Sequence, residues 1–334
     1  MPQTLSCRTA PSWTGDMAAS RTALRRVLAE LGAIWLAVIG LYALAALISP
    51  PMLQLGQVFN ILQVASFLGV IALGQFVVVL SGGIDLSQAG VVTLTNIVAT
   101  SVMLGQDTMI LPAVAICLGL ALVVGILNGA MVAVLGITPL VATLGMNALL
   151  FGSALVFTGG APRGAGAPAL DAIGNGTLGG VPVATLIWLG LAALLWALMR
   201  QTVFGRWLYS VGGNARAAHM MGVPVERVTI TAYALSTLMA ACGGLLLTAY
   251  VGNPSLGIGN QYLFTAVAAV VVGGAALSGG IGSVPATVGG AVFITVLGSF
   301  TNIVRVSTGA QFVIQGALIL ISVYAYRQFA RRRP

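Results

Sequence analysis

The stretch Val58–Leu80, VFNILQVASFLGVIALGQFVVVL, carries no charged side chain. It exceeds the ~20 apolar residues that cross a ~30 Å hydrocarbon core. Runs of the same character recur at 31–48, 88–104, 110–135, 138–158, 184–199, 227–250, 262–278, 284–304 and 311–326. Turn chemistry separates them: Ser49-Pro50-Pro51, Gly82-Gly83, Gly136-Ile137-Thr138-Pro139, Asn253-Pro254 and Ser278-Gly279-Gly280. The 110–135 and 138–158 runs nearly join, which leaves a tight re-entrant hairpin open there. The whole chain of 334 residues is 58% hydrophobic and 6% charged, against roughly 25% charged in soluble domains, and its mean hydropathy is +1.04. The bilayer is its solvent. The pattern reads as an all-α integral membrane protein of about ten transmembrane helices. A polar tail at 1–30 precedes a membrane domain at 31–326, and a short basic tail follows at 327–334. The first apolar run is longer than the 7–15 residues of a signal-peptide core, and it reads as an uncleaved anchor.

All 14 basic residues are arginines. Without a lysine the chain has no Gly-x-x-x-x-Gly-Lys-Ser/Thr loop and cannot supply its own P-loop ATPase, nor can it form a lysine Schiff base. Cys7, Cys117 and Cys242 are scattered and His219 stands alone, so the sequence calls for no metal and no cofactor. The net charge of +8 does not imply nucleic acid, because the arginines flank the apolar runs instead of forming one patch.

Those flanks orient the chain. With ten spans and the N-terminus inside, 12 of the 14 arginines are cytoplasmic: Arg8, Arg21, Arg25 and Arg26; Arg200, Arg206, Arg216 and Arg227; and Arg327, Arg331, Arg332 and Arg333. Only Arg163 and Arg305 fall outside, and the opposite orientation would violate the positive-inside bias. Both termini are then expected to be cytoplasmic.

None of the six acidic residues, Asp16, Glu30, Asp85, Asp107, Asp171 and Glu226, lies near the middle of an apolar run. Proton relays in transporters are built from such groups, so a proton-coupled carrier would lack its usual equipment. The runs do hold neutral polar side chains, among them Gln75, Asn96, Asn128, Asn147 and Asn302. They read either as a path for a hydroxyl-rich solute or as hydrogen bonds between helices, worth about 0.6 kcal/mol each in membranes. Asp85, in Ser81-Gly82-Gly83-Ile84-Asp85-Leu86-Ser87, precedes a new apolar run. It reads as a helix cap or as a gating contact. The pentapeptide Leu80-Ser81-Gly82-Gly83-Ile84 returns as Leu277-Ser278-Gly279-Gly280-Ile281; a structural repeat and shared turn chemistry both explain it.

The inner loop at about 200–226 is the most distinctive polar segment. Asn214 is suited to cap a helix over 215–221, Gly222 to stop it, and Pro224 cannot continue it. Ala217, Met220 and Met221 then share one face, with Arg216 and His219 on another. Such a short helix is marginal alone in water and implies a packing partner.

Four ordered segments resemble the permease subunit of ribose-type ABC importers: Gly82-Gly83-Ile84-Asp85-Leu86-Ser87; Thr143-Leu144-Gly145 leading to Thr158-Gly159-Gly160; Gly205…Gly212-Gly213-Asn214…Ala217-Ala218…Gly222; and Val272-Gly273-Gly274…Leu277-Ser278-Gly279-Gly280…Gly282-Ser283. The resemblance covers about 55–326. It implies a permease that pairs with a second copy, identical or not, in the lipid membrane, docks on cytoplasmic ATP-binding subunits, and receives solute from a periplasmic binding protein. It also implies gating or motif roles for Gly82, Gly83, Asp85, Ser87, Gly279 and Gly280, and a coupling role for the 205–222 segment. The family commonly has acidic residues just after Gly-Gly-Asn; here Ala215 and Arg216 stand there. Permeases of branched-chain amino acid importers share the architecture, and a stand-alone secondary carrier is the reading from another class.

Topology is directly measurable. Reporters fused at Asn214 and Gln328 should read as cytoplasmic, and one fused at Gly166 as periplasmic; an external signal at Asn214 would overturn the orientation.

Overall fold

The computed structural model describes residues 32–331. The expected tail at 1–30 and the last three residues lie outside them. Helices α1 (Gly32–Ile48), α2 (Leu55–Leu80), α3 (Gln88–Met103), α4 (Ile110–Ala133) and α5 (Pro139–Thr158) come first. A short α6 (Pro168–Gly174), a two-residue-per-strand hairpin of β1 (Thr177–Leu178) and β2 (Val181–Pro182), and α7 (Val183–Gln201) follow. The chain continues through α8 (Val203–Met220), α9 (Val225–Val251), α10 (Tyr262–Val272), α11 (Val284–Ile303) and α12 (Thr308–Arg331). Six of these are long and apolar enough to span a bilayer, and four shorter apolar helices, α1, α3, α10 and part of α12, complete the ten. α6 and α8 are not among them.

Several boundaries differ from the sequence reading. The apolar run at 262–278 is helical only to Val272, because Gly273-Gly274 opens an irregular stretch in which Gly274, Gly279, Gly280 and Gly282 all have positive φ. Hydropathy is blind to that break. The runs at 110–135 and 138–158 are two separate helices, parted at Gly136 (φ +68°). α8 begins at Val203, well before the expected start, and kinks at Asn214 (φ −163°, ψ 100°). α12 continues past Tyr326 to Arg331. The loop between α5 and α7 contains the β1–β2 hairpin, whose Gly179-Gly180 turn has φ of +60° and +88°, the left-handed pair that two-residue hairpins favour.

α2 is the central post. Of its most apolar stretch 83% is buried, against 28% in α4 and in α5, whose other faces are exposed. Lipid tails are as apolar as leucine, so helices associate through close packing of small residues. α4 shows this against α9: a Cβ at Gly125 would lie 2.6 Å from Ala234 Cα, and one at Gly129 would lie 2.5 Å from Ile230 Cα.

The loops gather into two groups. At one end, Gly280 N–H donates to the Leu80 carbonyl (2.9 Å) and the Tyr209 hydroxyl to the Gly282 carbonyl (2.9 Å), joining 81–87, α8 and 273–283. At the other, Gly105 N–H donates to Ala165 O (3.1 Å), Gly166 N–H to Gly252 O (2.8 Å) and Ala169 N–H to Asp107 Oδ1 (2.9 Å). The loops in these contacts fall at the ends that ten crossings require of them.

Close packing makes a prediction about α4. Gly129→Ala should lower the unfolding temperature of the detergent-solubilised protein, since overpacking typically costs ~1–3 kcal/mol. Gly119→Ala, whose new methyl meets nothing within 4 Å, should leave it unchanged.

Candidate functional site

Between α2 and α3 the chain leaves helical geometry, yet most of 81–87 is buried. Asp85 is 1% exposed and is the one buried charged side chain among the described residues. Its Oδ1 accepts from the Ser87 N–H (3.0 Å) and the Ser87 hydroxyl (2.6 Å), and its Oδ2 from the Ser236 hydroxyl on α9 (2.7 Å). All three donors are neutral. Ser87 immediately precedes the first residue of α3, so the carboxylate also lies at the positive end of that helix. The sequence offers capping or contact as alternatives. The structure gives Asp85 a bond to the N–H of the α3 cap residue together with a tie to α9.

Three amides extend this network. Gln88 Nε2 donates to the Ile71 carbonyl (3.2 Å) and to Ser236 Oγ (2.9 Å), linking α3, α2 and α9. Gln75 brackets the Asp85 backbone: with its amide oriented to match its partners, Nε2 donates to Asp85 O (2.9 Å) and Gln88 Oε1 (3.0 Å), and Oε1 accepts from Asp85 N–H (3.2 Å). Asn128 on α4 donates from Nδ2 to Ser87 Oγ (2.8 Å). Sequence reasoning singles out Gln75, Asn128, Asp85 and Ser87 separately, and the structure brings them together. It misses Ser236 and Gln88. Nothing local marks Ser236, which is 151 positions from Asp85.

The other polar candidates lie apart. Asn96, fully buried, ties α3 to the far-end loop: Nδ2 donates to Thr248 Oγ1 (3.1 Å) and Asn253 O (3.3 Å), and Oδ1 accepts from Ser255 N–H (2.8 Å). Asn302 is exposed and accepts from Gln311 Nε2 (2.8 Å). Asn147 on α5 sits beside Gly90, where a Cβ would lie 2.9 Å from its Oδ1. Two amide oxygens, Asn128 Oδ1 and Asn147 Oδ1, are buried without a hydrogen-bond partner.

α8 carries the second candidate region. Thr202 caps its start, accepting from Gly205 N–H (3.3 Å), and Leu208, Val211 and Ala218 are buried beneath it. Asn214 restarts the helix after the kink by accepting from Ala217 N–H (3.0 Å), as an N-cap does. Gly222, at φ +81°, ends it, its N–H donating to His219 O (2.9 Å). Arg216, Ala217 and His219 are exposed, Met220 is 77% exposed and Met221 84%. Gly212 is half-buried and Gly213 exposed. Burial pushes the Tyr209 phenol above its ordinary pKa. The first half of α8, with Tyr209, lies outside the helix expected at 215–221.

A family profile described as "Branched-chain amino acid transport system / permease component" matches residues 57–323. The chain is 36% identical over 314 residues to a probable ABC transporter permease of Sinorhizobium fredii, covering 93% of this chain and 92% of that one. It is 34% identical over 294 residues to the ribose import permease of Escherichia coli (strain K12), covering 86% and 91%. With the galactose/methyl galactoside import permease of the same strain it shares 30% identity over 310 residues, covering 87% and 92%. No solved structure matches the chain. The chain belongs to this family of ABC transporter permeases, and it is a predominantly helical, membrane-spanning member of it.

The Asp85 geometry separates acceptor from charge. Asp85→Asn retains an oxygen for Ser87 and offers an N–H to Ser236, so it should insert and unfold near the wild-type temperature. Asp85→Ala strands three donors at ~1–3 kcal/mol each and should unfold well below it. Equal loss in both variants would show that the charge itself holds the loop.

Proposed function

We propose that this chain is the transmembrane subunit of a bacterial ABC importer that moves a monosaccharide or related small neutral solute across the inner membrane, using ATP hydrolysed by a separate cytoplasmic subunit. The observation that carries the reading is the α8 tip. Two exposed methionines sit on a helix capped at Asn214 and stopped at Gly222, in the segment flanked by Arg200, Arg206, Arg216 and Arg227. A non-spanning helix with an apolar outward face fits a groove in a soluble partner. Gly205, Gly212, Gly213, Asn214, Arg216, Ala217, Ala218, Met220, Met221 and Gly222 form this coupling segment in the proposal. Ala218 faces inward and holds the helix to its own protein.

The solute class follows from the ribose and galactose names of the relatives and from the neutrality of the polar groups inside. Asn128 and Asn147, with unpaired buried oxygens, are the strongest members of the proposed path. Gln75, Asn96 and Asn302 already have partners within the chain and would serve the path by holding its walls. A second permease copy supplies the opposite wall, and a periplasmic binding protein delivers the solute to the end formed by 104–109, 159–182 and 252–261. The family description names branched-chain amino acids. That second reading calls for partners to a zwitterion, whereas the one buried charge among the described residues, Asp85, is already satisfied by neutral donors. Ligand binding to the cognate binding protein separates the two.

Burial of a methionine side chain contributes ~1.5–3 kcal/mol, more than the ~0–1 kcal/mol of an exposed ion pair. Met220→Asp or Ala217→Glu should therefore leave membrane insertion intact, weaken co-purification of the ATPase and abolish uptake, while Arg216→Ala has a smaller effect. Unchanged co-purification and uptake in Met220→Asp would remove the coupling helix from the account.

A further inference from the structure

We propose that the backbones of Leu80–Gly82, Gly212–Gly213 and Gly279–Gly280 form a rigid three-way joint that passes movement of α8 into the two loops at the starts of α3 and α11. The inference rests on the importer reading above and assigns the transmission step within the chain.

The joint is visible in the space that glycine leaves open. A Cβ at Gly212 would overlap the Leu80 carbonyl oxygen and stand 2.5 Å from Gly280 N. A Cβ at Gly279 would stand 2.7 Å from Gly212 O and 2.9 Å from Gly82 N and Cα, and one at Gly280 would stand 2.8 Å from Gly213 N. Three chain segments thus touch main chain to main chain. Gly279 and Gly280 have φ of +88° and +75° and Gly82 +86°, a region in which an L side chain is strained. Leu80 is the last residue of α2, and its carbonyl, one of those a helix end leaves open, is taken by Gly280 N–H at 2.9 Å. The two copies of Leu-Ser-Gly-Gly-Ile are therefore in direct contact, with α8 against both.

Each copy leads directly into the start of a helix. From Gly82 the chain reaches Asp85 and Ser87, which start α3 and tie it to α9 through Ser236. From Gly280 it reaches Gly282, whose carbonyl accepts the Tyr209 hydroxyl at 2.9 Å, and then Val284, the first residue of α11. A shift of α8 cannot be absorbed by side-chain rotamers at main-chain contacts, because there are none to turn. It is delivered to the starts of α3 and α11 together. Packed contacts of this kind can carry coupling between distant sites.

The test uses the complete importer, reconstituted in vesicles with its ATPase and binding protein, and reads solute taken up per ATP hydrolysed. Gly212→Ala should assemble with the ATPase and still hydrolyse ATP, while uptake per ATP falls roughly tenfold. Tyr209→Phe, which keeps the ring and removes the bond to Gly282, should give a smaller fall in the same ratio. Gly119→Ala on α4, whose new methyl meets nothing within 4 Å, should match wild type. Normal uptake per ATP in Gly212→Ala overturns the joint. If that variant fails to assemble, Tyr209→Phe decides: a lowered ratio supports the joint and an unchanged one overturns it. Uptake by the wild-type chain without any ATPase would instead refute the importer reading, whatever the variants do.

Discussion

Non-helical backbone at membrane depth finds no partner in lipid, so its N–H and C=O groups must be satisfied within the protein or along a water-filled cavity. In the loop 81–87 the Gly82 and Gly83 N–H groups turn back to Val79 O and Val78 O, and Asp85 takes the Ser87 N–H. Burying a carboxylate costs several kcal/mol even after relaxation. Each hydrogen bond to a charged group returns ~1.5–3 kcal/mol, and three such bonds with the α3 N-terminus offset the penalty. Gln75 answers the Asp85 N–H and carbonyl in turn. α3, with 16 residues, and α10, with 11, are both short for a full crossing. The chain therefore depends on loops that can be buried at depth, and the Asp85 network is what allows the first of them.

The second constraint is the weak drive for helix association in lipid. Without a hydrophobic gain between helices, proximity has to come from small residues. α4 sits on α9 at Gly125 and Gly129, and α8 sits on the two loop copies at Gly212, Gly279 and Gly280. The glycines in the spans fix the scaffold, whereas those in the loops place three separate segments at one end. Packing of the same physical kind thus gives a static core in one place and a shared contact point in another.

Much of this architecture is local and legible in the sequence. Ten apolar runs, the Asn214 cap and the Gly222 stop each follow from adjacent residues. The end of α10 is marked in the sequence only by Gly273-Gly274, the same dipeptide that reads as a turn at Gly82-Gly83, and apolarity alone carries the run past it. The first half of α8 is hidden by Gly205, Gly212 and Gly213, each a poor helix former. Burial of Leu208 and Val211 and the cap from Thr202 outweigh that propensity. Ser236 is invisible for another reason: its role exists only once α9 lies beside 81–87. The repeated Leu-Ser-Gly-Gly-Ile shows as a likeness of sequence, but contact between its copies is a property of the fold.

α8 holds two unlike surfaces within a few turns. Gly212 faces inward with no room for a side chain, while Met220 and Met221 face outward almost fully exposed. Between them the helix breaks at Asn214, where a free hinge would dissipate any displacement. The break is not free, because the Asn214 side chain closes the next turn through Ala217 N–H and Ala218 anchors that turn to the protein's own core. Val223 N–H donates back to Ala218 O at 3.1 Å, fastening the far end as well. Both sides of the kink are thus held against the protein's own core, by Leu208 and Val211 before it and by Ala218 after it.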